Sequence, residues 1–124
     1  MGRYKKDRAP LAAIALNTDT SIITAVANDM GYEKIFTRQV QALAKKEDIL
    51  FAISTSGESK NVLDAVKFGN DMGVFSISLT GMKDSTLSKL SNISLNVPSN
   101  KVNHIQEMHI IIGHFICEMT EKDF

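Results

Sequence analysis

Four hydroxyl side chains, Ser54, Thr55, Ser56 and Ser59, crowd around Gly57 in the stretch DILFAISTSGES, Asp48 to Ser59. Such a cluster can surround an anion with hydroxyl and backbone donors. A single serine there would be an ordinary helix cap, and four exceed what a cap requires. The excess points to a phosphate cradle. The elements that would position it lie on either side. Ile49 to Ile53 is an unbroken apolar run that reads as a strand buried on both faces. After the turn comes KNVLDAVKFGNDMG, in which Val62, Leu63, Val66 and Phe68 recur at roughly helical spacing. Strand, hydroxyl-rich turn and helix is how an open α/β sheet presents an anion to a helix N-terminus, where free N–H groups and the dipole favour phosphate.

Further candidates lie in the last apolar stretch. His104, His109 and His114 stand five residues apart, which turns each by about 140° on a helix and rules out one facial metal cluster. Taken singly, a histidine on an apolar helix is more often a hydrogen-bonded core or interface residue. Gln106 and His114 make the better pair: they lie about 12 Å apart along the axis and less than a quarter-turn apart in rotation. Both could line one elongated pocket. A metal shared between them would need long side-chain reach or a ligand from another segment. Asn28 and Asp29 precede Gly31 and read either as a helix end or as contacts to a sugar hydroxyl. Glu47 and Asp48 read as solvated turn residues. The sequence has no dinucleotide fingerprint, Walker loop, paired thiol ligands or G-x-S-x-G elbow.

The rest of the chain must build a scaffold for these groups. Its 124 residues suit one domain, residues 1–124, and 44% hydrophobic content suffices for a core. Fourteen acidic residues balance fourteen basic ones, so no global field recruits nucleic acid or an anionic membrane. The basic GRYKKDR start reads as a solvated segment. No apolar run is long enough to span a bilayer, and no signal peptide is visible. A lone cysteine, Cys117, excludes an intramolecular disulfide, fits a reducing cytoplasm and reads as a core residue. Cytoplasmic location is therefore expected.

In chain order, Leu11 to Leu16 reads as a buried strand and Asn17 to Ser21 as a turn and cap. Ile22 to Met30 reads as a helix ended by Gly31, and Tyr32 to Ala44 as another helix. The focal strand, loop and helix follow. Val74 to Leu79 is expected as a strand, Ser85 to Leu90 as a weak helix and Ile93 to Val97 as a strand. Asn103 to Lys122 forms the last helix. Strands alternating with helices imply an α/β fold with a parallel sheet. The last helix carries Ile105, Met108, Ile110, Ile111, Ile112, Phe115, Ile116 and Met119 around most of its circumference. A chain this small cannot bury such a helix on every side, so it is expected to pack against other subunits.

IALNTDTS, the AND-x-GY segment, FTRQV-x-AL, DILFAISTSGES-x-NV and HIQEMHIIIGH together resemble the phosphoheptose isomerases, which are SIS (sugar isomerase) domain enzymes. The resemblance covers essentially the whole chain. It implies a three-layer Rossmann-like fold and a homotetramer with active sites between subunits. The implied reaction interconverts sedoheptulose 7-phosphate and glycero-manno-heptose 7-phosphate, a step toward surface heptose precursors. At matching positions it implies that Ser54, Thr55, Ser56 and Ser59 hold the phosphate and that Asn28 and Asp29 contact the sugar chain. Gln106 would contact substrate and, in zinc-binding members, ligate zinc, one ion per site. His114 would be the second zinc ligand and one of two acid/base groups. Proton transfer through an enediol needs a base near the C–H and an acid near the oxygen, and histidine titrates in the right range.

The resemblance also implies a further N-terminal segment in relatives. That segment carries helices, a first strand and a G-N-G-G-S loop followed by a His and a Glu four residues apart. None of it lies in this sequence, so the chain alone is expected to be inactive and poorly soluble. A second reading is a non-catalytic phosphosugar-binding module, similar to the SIS protein that associates with the bacterial replication initiator. His114, which that regulator resembles a version lacking, favours the enzyme.

Overall fold

Three short apolar strands, each followed by a polar turn and a helical repeat, fold in the computed structural model into a parallel sheet; residues 3–81 and 84–124 are described. The elements are α1 (Thr20–Met30), a 3₁₀ turn (Tyr32–Lys34), α2 (Thr37–Leu43), β1 (Ile49–Ser54), α3 (Lys60–Asp71), β2 (Phe75–Thr80), α4 (Thr86–Leu90), β3 (Ile93–Asn96) and α5 (Val102–Lys122). The α/β class and parallel sheet are as expected. Strand order is β1-β2-β3. Register runs from Ile49 opposite Phe75 to Ser54 opposite Thr80, and from Ile77 opposite Ile93 to Thr80 opposite Asn96.

Local chemistry explains the helix ends. Asp19 caps α1 by accepting from the Ile22 N–H at 3.0 Å. Gly31 closes the same helix with φ +94°, and its N–H bonds the Ala27 carbonyl. Ser85 caps α4 by accepting from Ser88 N–H. The expected helix from Tyr32 to Ala44 divides instead into the 3₁₀ turn and α2. Lys34 in that turn pairs with Asp64 of α3 at 2.7 Å, and the partnership raises the lysine pKa.

The main core lies on one face of the sheet, while on the other Leu79 is fully buried beside Ile53 and Leu95. Ala52, Val66 and Leu87 form its centre, with Leu50, Val62, Leu63 and Leu90 packed around them. Leu50 and Ala52 stand opposite Ser76 and Ser78 of β2, both fully buried. Each serine is satisfied: Ser76 donates to Asn70 Oδ1 at 2.8 Å, and Ser78 donates to Ser94 Oγ at 3.0 Å.

Three further expectations need correction. Leu11 to Leu16 forms no strand: the described sheet ends at β1, and Ile14 is 67% exposed. A strand exists only when a neighbour takes up its ladder groups, and no described segment does so here. The focal strand is buried on one face only. Ile49, Phe51 and Ile53 point to the opposite face and are exposed, as are Phe75, Ile93 and Leu95 beside them. Cys117 is exposed rather than buried; the residues that α5 buries are Ile105, which packs over Gly81 at the end of β2, His109 and Glu121.

Candidate functional site

The turn between β1 and α3 is built from its hydroxyls inward. Ser54, the last residue of β1, is 7% exposed. Its Oγ lies 3.0 Å from Ser59 Oγ and 3.5 Å from Ser56 Oγ, and it accepts the Gly57 N–H at 3.2 Å. Ser56 Oγ in turn accepts the Glu58 N–H at 3.2 Å. Three of the four expected hydroxyl residues therefore converge within one turn. Thr55 contributes through its backbone, where its carbonyl accepts the Gly81 N–H at 3.0 Å.

Ser59 decides between the two readings of this turn. It occupies the N-cap position of α3, yet its side chain makes no capping bond. The hydroxyl turns toward Ser54 instead. The Val62 N–H is taken by Asn61 Oδ1 at 2.9 Å and the Ser59 carbonyl at 3.0 Å, so the donors left at the helix start are the N–H groups of Lys60 and Asn61, beside the cluster of hydroxyls.

Gly57 makes this geometry possible. Its φ is +68°, and a Cβ there would collide with the Ser85 side chain. Two bonds rivet the turn to α4. The Gly57 carbonyl accepts Leu87 N–H at 3.0 Å, and Glu58 Oε1 accepts Thr86 N–H at 2.8 Å. The backbone N–H of Thr86 holds the Glu58 carboxylate below its ordinary pKa. Glu58 is thereby engaged by α4, away from the hydroxyl cluster.

An open cleft of about 390 Å³ adjoins the turn, lined by Tyr32, Glu33, Ser59, Lys60 and Asn61. Sequence reasoning missed Tyr32, Glu33, Lys60 and Asn61 as lining residues. Lys60 and Asn61 directly follow the serine loop and could have been found by adjacency, whereas Tyr32 and Glu33 arrive only through the packing of the 3₁₀ turn on α3. Asn28 and Asp29 sit in the last turn of α1, exposed and bonded to each other at 2.8 Å. They lie a few residues before Tyr32 and outside the cleft lining.

Gln106 and His114 are both exposed on α5. Gln106 follows Ile105, which packs on Gly81, so it starts near the loop. His114 lies two turns farther along and meets Tyr4, ring centroids 6.2 Å apart. An amide oxygen and an imidazole nitrogen are acceptable zinc donors, but two make half a tetrahedral set. No group of three or more His, Cys, Asp or Glu that could hold a metal occurs among the described residues. These residues by themselves do not form the zinc site that the resemblance implies. His109 is buried, and its Nε2 has no hydrogen-bond partner among the described residues. None of the described helices is long and apolar enough to cross a membrane.

A family model described as SIS domain matches residues 1–81. The phosphoheptose isomerase of Helicobacter pylori strain P12 is 51% identical over 123 residues, covering 99% of this chain and 64% of that protein. The phosphoheptose isomerase of Aliarcobacter butzleri is 50% identical over 122 residues, covering 98% and 65%. Among solved structures, a phosphoheptose isomerase from Francisella tularensis superposes with a TM-score of 0.86 at 45% identity, covering 90% of this chain and 60% of that one. One from Neisseria gonorrhoeae gives 0.85 at 41%, covering 87% and 61%. The chain thus spans somewhat under two thirds of the length of these relatives.

Proposed function

The chain belongs to the SIS domain family, and on that footing we propose that it serves a phosphoheptose isomerase reaction. The Ser54–Ser59 turn holds the phosphate of sedoheptulose 7-phosphate. His114 moves a proton during conversion to D-glycero-D-manno-heptose 7-phosphate. The observation that carries this reading is the start of α3, where the Ser59 side chain makes no capping bond and joins Ser54 and Ser56 in one cluster. Phosphate there would accept from hydroxyls and backbone N–H groups together, and charge-assisted bonds of that kind are the strong ones.

The chemistry asked of the protein is modest. A base removes the proton from the carbon beside the carbonyl, the electrons pass to oxygen, and an enediol forms. Returning a proton to the neighbouring carbon completes the exchange of ketose for aldose, with no net gain or loss of atoms. Imidazole suits either transfer near neutral pH. Asn28, Asp29 and Gln106 take the role of contacts along the sugar chain in this proposal.

Assembly is part of the same reading. The open sheet face and the exposed Ile110, Ile111 and Phe115 of α5 exceed what a soluble monomer usually leaves in water, and they support a homo-oligomer, in the proposal a tetramer. The single Cys117 and a phosphosugar substrate support a cytoplasmic setting.

The test is incubation of sedoheptulose 7-phosphate in deuterated water with a protein that carries this chain together with the N-terminal segment of its relatives, followed by NMR. Aldose carrying deuterium at the carbon that was the ketose carbonyl is the expected product, lost in His114→Ala. Binding without turnover in the unsubstituted protein would overturn the isomerase reading and leave a phosphosugar-binding module.

A further inference from the structure

Glu121, on the last turn of α5, is 3% exposed, and its carboxylate is gripped by a segment from the opposite end of the chain. Oε1 accepts the Tyr4 N–H at 3.1 Å. Oε2 accepts the Lys5 N–H at 2.8 Å and the Lys6 N–H at 3.0 Å. Arg8 Nε lies 3.3 Å from Oε1, with only 12% of that side chain exposed. Three successive backbone N–H groups closing on one anion form the concavity that elsewhere receives a bound phosphate. Here the anion belongs to the protein itself.

The same stripe of α5 carries two more contacts to this segment. Glu118 pairs with Lys5 Nζ at 2.9 Å, and His114 faces the Tyr4 ring at 6.2 Å and an interplanar angle of 33°. Residues 114, 118 and 121 recur at helical spacing, so one face of α5 receives the whole segment. Glu118 and Lys5 are substantially exposed, and such a pair contributes little by itself. The buried carboxylate is the fastening.

We propose that Glu121 is a positioning residue for His114: by pinning the backbone of residues 4–6 it holds the Tyr4 ring against the imidazole and restricts its rotation. The inference rests on the proposed proton-transfer role of His114 for its functional meaning, though not for its geometry. A carboxylate is required at this position because both oxygens must accept. The isosteric amide of glutamine would turn an NH₂ toward N–H donors on one side or the other. Burial works to raise the Glu121 pKa and is the largest single influence. The three backbone N–H groups and Arg8 outweigh it and keep the group below the ordinary carboxylate range, so the acceptor stays ionised at neutral pH.

The experiment is NMR on the full chain at one fixed pH, comparing the unsubstituted protein with Glu121→Gln, Glu118→Gln and Tyr4→Leu. The unsubstituted protein is expected to show a cross-relaxation peak between the Tyr4 and His114 rings. Glu121→Gln should speed amide exchange at residues 4–6 by about tenfold or more and move the His114 ring shifts toward those of Tyr4→Leu. Glu118→Gln should leave both within about twofold, and exchange at the β2 amides should be unchanged throughout. Absence of the Tyr4–His114 peak overturns the proposal. So does faster exchange at residues 4–6 with His114 unmoved, or loss of protection at β2, which would make Glu121 a purely structural residue. These readouts do not depend on turnover, so a protein that fails to isomerise leaves them decisive. Where turnover is measured, Glu121→Gln is expected to lower kcat with KM unchanged, since it touches nothing at the phosphate turn.

Discussion

Ser59 at the start of α3 separates structural from ligand-directed chemistry at a single residue. Because it forms no capping bond, Ser59→Ala should cost less than about 1 kcal/mol of stability, the value of its one neutral bond to Ser54. Yet it should weaken phosphate-ester binding about tenfold, as loss of a bond to a charged group does. Thermal melting and a binding titration on the same variant check both halves. Gly57→Ala should behave oppositely, destabilising by roughly 2–4 kcal/mol through the positive φ and the collision with Ser85, as chemical denaturation would show. The identity of these hydroxyls was legible in the sequence, since four around one glycine exceed any cap. Which of them is buried, and that Ser59 turns away from the helix, was not. Those facts come from the way α4 and Gly81 press on the turn. Cys117 misled for a related reason: an apolar neighbourhood in sequence says nothing about whether the helix carrying it has a partner.

At the scale of elements, the boundaries that were legible are those set by local chemistry. Asp19, Gly31 and Ser85 mark ends that depend on one side chain or one φ value. Leu11 to Leu16 was misread because a strand is a property of a pair, and the described edge of the sheet is β1. The Tyr32–Ala44 helix was misread because its break into a turn and α2 depends on packing against α3. Leu87 joins α4 to the core and is fully buried, so Leu87→Ala should lose about 3 kcal/mol in denaturant unfolding. Glu58 and Glu121 each tie one element to another with a carboxylate whose folded pKa is below its ordinary value of 4.5. Such a group stabilises above its unfolded pKa, and the contribution disappears as pH falls through the lower folded pKa. Melting temperature is therefore expected to hold from pH 7 to about 5 and to fall below about pH 4.5. The fall should be shallower in Glu121→Gln, and a parallel fall would count against Glu121 as a source.

For the whole molecule, the surface left uncovered is as informative as the core. Ile49, Phe51, Ile53, Phe75, Ile93 and Leu95 form one open sheet face, and α5 presents Ile110, Ile111 and Phe115. The all-round apolar pattern of α5 announced this in the sequence, whereas the open sheet face did not, since a continuous apolar strand reads as covered on both sides. If α5 joins copies of the chain, Phe115→Asp should reduce the mass seen by light scattering to that of a smaller species; an unchanged mass would contradict the assembly. The central claim concerns the Ser54–Ser59 turn, and a chemical-shift titration of backbone amides with sedoheptulose 7-phosphate, beside unphosphorylated sedoheptulose, tests it most directly. Saturable shifts centred on residues 54–61 with the phosphorylated sugar, and none there with the unphosphorylated one, are predicted. Shifts elsewhere with this turn silent, or equal shifts with both sugars, would contradict a phosphate cradle.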